Sequence, residues 1–141
     1  MTARCFVVGG AGFIGSHLVE RLAKDHAVTV FDNLSVGKRE FLTQAFARGA
    51  ELVTGDALDL AALERAMLGH DTVFHLAANP EARWGLENPR LDLEQGTICT
   101  WNVLEAMRRT GAKRLIFASS GTVYGDTAEV CAEGDLGRLP I

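Results

Sequence analysis

Positive charge is sparse in this chain of 141 residues: 14 Lys and Arg stand against 18 Asp and Glu, for a net charge of −4. Lys38-Arg39, Arg108-Arg109 and Lys113-Arg114 are isolated pairs that read as solvated helix ends. Without a basic stripe, no nucleic-acid partner is expected. No apolar run approaches the roughly 18 residues that cross a bilayer, and no charged, apolar, then small-residue leader opens the sequence. The expectation is a cytoplasmic protein with no membrane partner. Only 3 cysteines occur, Cys5, Cys99 and Cys131, far apart and without metal-ligand spacing, which excludes a disulfide framework. His17, His26, His70 and His75 are equally scattered, so no metal is expected. Tyrosine is scarcest: the single one, Tyr124, is followed four places on by Ala128, and no lysine comes after Lys113.

What is present is an alternation. Hydrophobic residues make up 48% of the chain and charged ones 23%, as in an ordinary globular protein of one domain over 1–141. "RCFVV" (4–8), "AVTVF" (27–31), "AELVTGD" (50–56), "DTVFHLAA" (71–78) and "KRLIFASS" (113–120) read as strands. Helical spacing falls between them: at 12–24 with Ile14, Leu18 and Leu22, and at 38–47 with Phe41, Leu42, Ala45 and Phe46. A third helix follows Asp59, with Leu63, Ala66 and Met67 on one face. A long fourth one is expected over 90–109, with Ile98, Trp101, Leu104 and Met107 inward. Short strands that are apolar throughout are covered on both faces. Strand–helix alternation with such strands predicts an α/β protein with a doubly wound parallel sheet of about five strands, in the order 3-2-1-4-5.

Between the first strand and its helix lies "GGAGFIGSH", with Gly9, Gly12 and Gly15 three apart. Glycines there permit a tight turn, close approach of a pyrophosphate, and a helix held near the sheet. The free amides and positive dipole end of that helix then face the anion. The alternative is a tight strand–helix turn without a ligand, since the spacing is not the Gly-x-Gly-x-x-Gly form. Asp32 ends the second strand about 20 residues further on, where a carboxylate accepts ribose hydroxyls and repels a 2′-phosphate. That favours NAD, although Lys38 and Arg39 leave an opening for NADP. Asp32 read simply as a strand-terminal turn residue is the plainer reading.

"GGAGFIGSH", "FDNLSVGKRE", "GDALD", "VFHLAAN" and "FASSGTVYGD" stand in the order and spacing of the extended short-chain dehydrogenase/reductase family. The chain resembles the nucleotide-sugar epimerases and dehydratases of that family, particularly the UDP-glucose 4-epimerase type. The resemblance covers nearly the whole chain but only the N-terminal part of such an enzyme. It implies a Rossmann fold whose pyrophosphate turn is Gly9, Gly12 and Gly15, with Phe13 and Ile14 between. Asp32 and Asn33 would meet the adenosine ribose, and Asp56 and Ala57 would flank the adenine. Leu76, Ala77 and Ala78 would form the small-residue strand end on which NAD lies. For Asp56 the plainer alternative is a helix-entry residue, and His75 reads as a satisfied core histidine rather than a catalyst.

Ser120 matches the Ser/Thr that hydrogen-bonds the reacting sugar hydroxyl, the one catalytic candidate in the chain. In the family a tyrosine, paired with a lysine four residues later, removes that hydroxyl's proton while a hydride passes to the nicotinamide. The product is a 4-keto sugar. An epimerase returns the hydride to the other face, and a dehydratase uses the ketone to acidify a neighbouring proton. No such tyrosine–lysine pair occurs here. The catalytic helix and the C-terminal substrate region are therefore expected to lie outside this sequence, and Tyr124 is a structural or substrate-lining residue. The implied function is the NAD-binding portion of an epimerase acting on a UDP-hexose, inactive alone. The alternatives are a fragment of a 4,6-dehydratase or a non-catalytic nucleotide-binding or interaction module. A fifth strand without an outer neighbour could also pair with a second copy. Val8 replaces the usual threonine beside the glycine turn, and Pro80 stands where some epimerases place a lysine. Arg83 reads as a solvated loop residue, with a substrate phosphate as its other reading.

Overall fold

The apolar run Arg4–Val8 forms β1, and its alternate side chains enter two different cores. Cys5 and Val7 pack with Val19, Val28, Val30 and Leu42 on one face. Phe6 and Val8 pack with Phe31, Leu63, Met67, Val73 and Val103 on the other. Val8 is fully enclosed there, so the methyl group that replaces the family's usual hydroxyl is absorbed as core.

The computed structural model describes residues 3–120 and Ala132. β2 (Ala27–Asp32), β3 (Glu51–Thr54), β4 (Thr72–His75) and β5 (Arg114–Phe117) complete a parallel sheet with β1. Its order is β3-β2-β1-β4-β5, as expected from the alternation. Val8 lies opposite Phe31 in β2 and His75 in β4, so three strands finish level at one edge of the sheet. The chain leaves β1 toward one side and returns beside it on the other. That switch point is where an open α/β sheet forms its crevice.

α1 (Phe13–Leu22) covers one face together with a 3₁₀ turn, Arg39–Leu42, and the short α2 (Thr43–Phe46). α3 (Leu60–Met67) covers the other, its first turn capped by the Asp59 carboxylate, which accepts from the Ala62 N–H at 3.0 Å. The helix expected over 38–47 is thus divided between a 3₁₀ turn and a single α-helical turn. Only Leu42 and Ala45 of its apolar residues are buried, too few to hold a longer helix against the sheet. In α1 the inward residues are Gly15, Ser16 and Val19, with Leu18 and Leu22 half-buried. Ile14, expected in that stripe, is 69% exposed at the helix entrance.

The larger correction concerns the long helix. α4 (Ala82–Glu87) and α5 (Pro89–Asp92) precede a π-helical turn, Leu93–Ile98, which runs into α6 (Cys99–Thr110). Cys99, Asn102, Val103, Ala106 and Met107 face inward. Of the expected face only Met107 is buried, while Trp101 is 57% exposed. Small residues let α6 approach α3, and Asn102 Nδ2 donates to the Ala57 carbonyl at 2.8 Å. Close helix packing outweighs the larger apolar stripe.

Gly96 lies inside the π turn, exposed, and an added Cβ would meet nothing within 4 Å. Gly96→Ala should therefore raise stability by up to about 1 kcal/mol, the helix-interior cost of glycine. Thermal unfolding measures this, and a lower Tm would mean that the π turn requires glycine. Cys5 and Cys99 are free and buried. Among the described residues no helix is long and apolar enough to cross a membrane, and no cluster of side chains could hold a metal.

Candidate functional site

At the level ends of β1, β2 and β4 a cleft of about 600 Å³ opens. Its walls include every residue singled out for the cofactor: Gly9, Gly12, Phe13, Ile14 and Gly15 from the turn, and Asp32 and Asn33 after β2. Asp56 and Ala57 follow β3, and Leu76, Ala77 and Ala78 follow β4. Sequence-distant positions meet there because each follows the C-terminal end of a neighbouring parallel strand.

The glycines of the turn have distinct reasons. Gly9 has φ +79°, and a Cβ on it would come within 2.6 Å of the Ala77 backbone nitrogen. At Gly15 a Cβ would collide with the Gly9 carbonyl and with Gly10, so its absence lets α1 rest on the turn. Gly12 is different. Its backbone is extended, and a Cβ would find only the Gly9 carbonyl, at 3.5 Å. The protein's own packing does not require glycine at that position, but a pyrophosphate against the helix entrance does. Gly12 offers no capping side chain and the first turn of α1 carries no acidic residue. Its amides and positive dipole end are thus left to an anion. The residues present therefore fit a dinucleotide.

Asp32 is buried and braces the turn: one carboxylate oxygen accepts from the Ala11 N–H at 2.9 Å, the other from Leu34 N–H at 2.8 Å. Each oxygen retains a further lone pair for a hydroxyl. Asn33 Nδ2 donates to Asp56 Oδ2 at 3.3 Å, tying the ends of β2 and β3 together. Asp56 Oδ1 also accepts from the Leu58 N–H at 2.9 Å, so Asp56 shapes the entry to α3 while facing the cleft. Lys38 and Arg39 lie over the rings of Phe41 and Phe46, at 5.9 and 4.8 Å. Neither lines the cleft. Arg83 is occupied by the Glu81 carboxylate through Nε at 2.9 Å and Nη2 at 2.7 Å, with its side chain 81% exposed. That agrees with the solvated reading.

Ser120 is exposed and is not part of the cleft wall, to which the chain after β5 contributes only Ala118 among the described residues. Tyr124 lies outside the described residues. Trp84, Leu91 and Gln95 also line the wall, and no sequence signal marks them, because α4, α5 and the π turn are too short to show a period. His75 is buried as expected but not fully satisfied. Its Nε2 lies 3.0 Å from Thr100 Oγ1, and its Nδ1 has no partner among the described residues. Burial pushes its ring down to about 4, so it stands neutral at pH 7.

Sheet order, switch-point cleft and glycine turn define a dinucleotide-binding protein of the Rossmann type. Residues 5–141 match the NAD dependent epimerase/dehydratase family, and the chain belongs to that family. It is 37% identical over 136 residues to the UDP-N-acetyl-alpha-D-glucosaminuronate decarboxylase of Bacillus cytotoxicus, covering 96% of this chain and 42% of that one. It is 39% identical over 127 residues to the dTDP-glucose 4,6-dehydratase of Mycobacterium tuberculosis, covering 87% and 38%. The crystal structure of UDP-glucose 4-epimerase from Brucella ovis in complex with NAD superposes with a TM-score of 0.83 at 34% identity, covering 94% of this chain and 41% of that one. The chain thus spans about 40% of the length of these relatives.

Proposed function

We propose that residues 1–141 are the NAD-binding N-terminal portion of a nucleotide-sugar epimerase of the UDP-glucose 4-epimerase type, working in the cytosol on a UDP-hexose. The observation that carries the reading is Gly12, a glycine the fold itself does not need, at the mouth of a cleft lined by Asp32 and Asp56. In this reading the α1 amides at Phe13, Ile14 and Gly15 hold the pyrophosphate, with Gly9 and Gly12 leaving it room. Asp32 and Asn33 take the adenosine ribose hydroxyls, Asp56 and Ala57 flank the adenine, and Leu76, Ala77 and Ala78 form the floor. NAD, when bound, supplies the hydride acceptor that makes a 4-keto sugar. Ser120 would hydrogen-bond the sugar hydroxyl being oxidised.

The identity to a 4,6-dehydratase favours a second reading, in which the same cofactor portion serves dehydration. Both share the step that needs NAD, and neither supplies a tyrosine–lysine pair within this sequence. Residues 1–141 alone are therefore expected to show no turnover of UDP-glucose or UDP-galactose. Measurable epimerisation by this chain would overturn that expectation.

Calorimetric titration tests the cofactor assignment. NAD should bind at least about tenfold more tightly than NADP, a difference of roughly 1.4 kcal/mol. Asp32 presents a negative charge where a 2′-phosphate would sit, and Lys38 and Arg39 are turned onto aromatic rings. Equal binding of the two would remove Asp32 from the ribose site. Binding of neither would leave the turn as packing alone.

A further inference from the structure

His75 closes β4 just before the cleft floor, with its ring packed on Phe117 at a centroid distance of 5.4 Å. Thr100 Oγ1 donates to the Gly96 carbonyl at 2.6 Å and lies 3.0 Å from His75 Nε2. A hydroxyl has one proton to give. With that proton on the Gly96 carbonyl, Nε2 must carry a hydrogen and donate it to Thr100. Nδ1 is then an unprotonated acceptor, buried and without a partner among the described residues. An apolar side chain would avoid that cost. The histidine is explained by what its Nε2–H holds.

What it holds is the π turn. The Cys99 N–H is shared between the Glu94 carbonyl five residues back and the Gly96 carbonyl three back, and the five-residue bond makes this stretch wider than an α-helix by one residue. A slip back to α-helical bonding would rotate everything N-terminal to it by about 100°. Gln95, half-buried in the cleft wall with Leu91 and Trp84, would turn away. The Thr100 hydroxyl donates to the Gly96 carbonyl inside that turn, and the His75 hydrogen bond fixes the hydroxyl.

We infer that His75 is a positioning residue, which through Thr100 locks the π turn Leu93–Ile98 and so keeps Gln95 in the wall of the dinucleotide cleft. The effect on affinity rests on the NAD reading above, whereas the effect on the turn does not. Trp84, Leu91 and Gln95 follow β4 whereas Asp32 and Asp56 follow β2 and β3, so the half of NAD beyond the adenosine diphosphate is expected to feel the change more.

Two measurements on the 141-residue chain test this. Nitrogen-15 NMR of the wild type should report a neutral His75 with hydrogen on Nε2, and Thr100→Val should shift the Gln95 and Gly96 amides while Thr100→Ser leaves them near wild type. Calorimetry should show NAD affinity reduced about fivefold or more in Thr100→Val and restored in Thr100→Ser, with ADP affinity changed less than about twofold. A hydrogen on Nδ1 instead, or Gln95 and Gly96 amides indifferent to Thr100→Val, would overturn the inference. NAD and ADP weakening together would also overturn it, since that marks general loosening. If the wild type binds no NAD, the cofactor reading fails and the amide shifts alone decide the inference.

Discussion

Gly12→Ala is expected to leave the fold intact while lowering NAD affinity by at least about tenfold, or roughly 1.4 kcal/mol. Gly12 occupies the N-cap of α1 with φ −72° and ψ 178°, a conformation open to alanine. Its new methyl would touch only the Gly9 carbonyl, at 3.5 Å, an ordinary contact. Losing glycine at an N-cap costs under about 1 kcal/mol. The methyl would instead occupy the space a pyrophosphate needs above the α1 amides. Gly9→Ala and Gly15→Ala should behave in the opposite sense. The first forces alanine to φ +79° and against the Ala77 backbone, and the second drives a methyl into the Gly9 carbonyl. Each should lose about 2 kcal/mol or more of stability, from backbone strain or overpacking. Urea unfolding and NAD titration on the three variants separate the effects. Gly12→Ala that binds NAD like wild type would sink the cofactor argument, and Gly12→Ala as unstable as Gly15→Ala would return Gly12 to packing.

Lowering the pH from 7 to 5 should cost about 2 kcal/mol of folding stability, chiefly through His75. Burial holds its ring at about 4 against an ordinary 6.5, so the unfolded chain takes up a proton that the folded chain refuses. The contribution is complete above 6.5 and is lost as pH falls toward 4. His70 moves the same way, again through burial, with its ring between the Met67 carbonyl and the Thr29 hydroxyl. The carboxylates act lower down. Glu105 is held at about 2 by hydrogen bonds from Arg108 and Arg109, and Glu81 is lowered by Arg83. Their contributions are present above the ordinary value of 4.5 and fade below it, so the interval from pH 7 to 5 belongs to the histidines. The urea midpoint should fall across that interval in the wild type and fall less in His75→Gln. A wild-type midpoint that does not move would refute the assignment.

The strand order and the cleft were legible in the sequence because their signals are local. β1 is apolar at consecutive positions, the glycines sit at fixed spacing after it, and Asp32 and Asp56 each follow a strand. In a parallel sheet, chain order and strand ends are enough to bring such residues together at one edge. The break in the long helix was not legible in the same way. A π turn changes the bonding partner by one residue, which alters no residue type, and α4 is too short to show a period.

The face of α6 shows why periodicity alone misled. Ile98, Trp101 and Leu104 recur at helical spacing, yet the side that meets α3 is built from Asn102, Val103 and Ala106. Hydrophobic spacing reports which side of a helix is apolar, whereas burial depends on how closely the neighbouring helix can come. His75 makes the same distinction at one residue. The sequence alone determined that a histidine stands at the end of a buried strand, the sheet order around it and the cleft beside it. Only the tertiary structure decided which ring nitrogen is held and that Gln95 enters the wall. Both depend on Thr100, 25 residues away, meeting His75 across the packed interior.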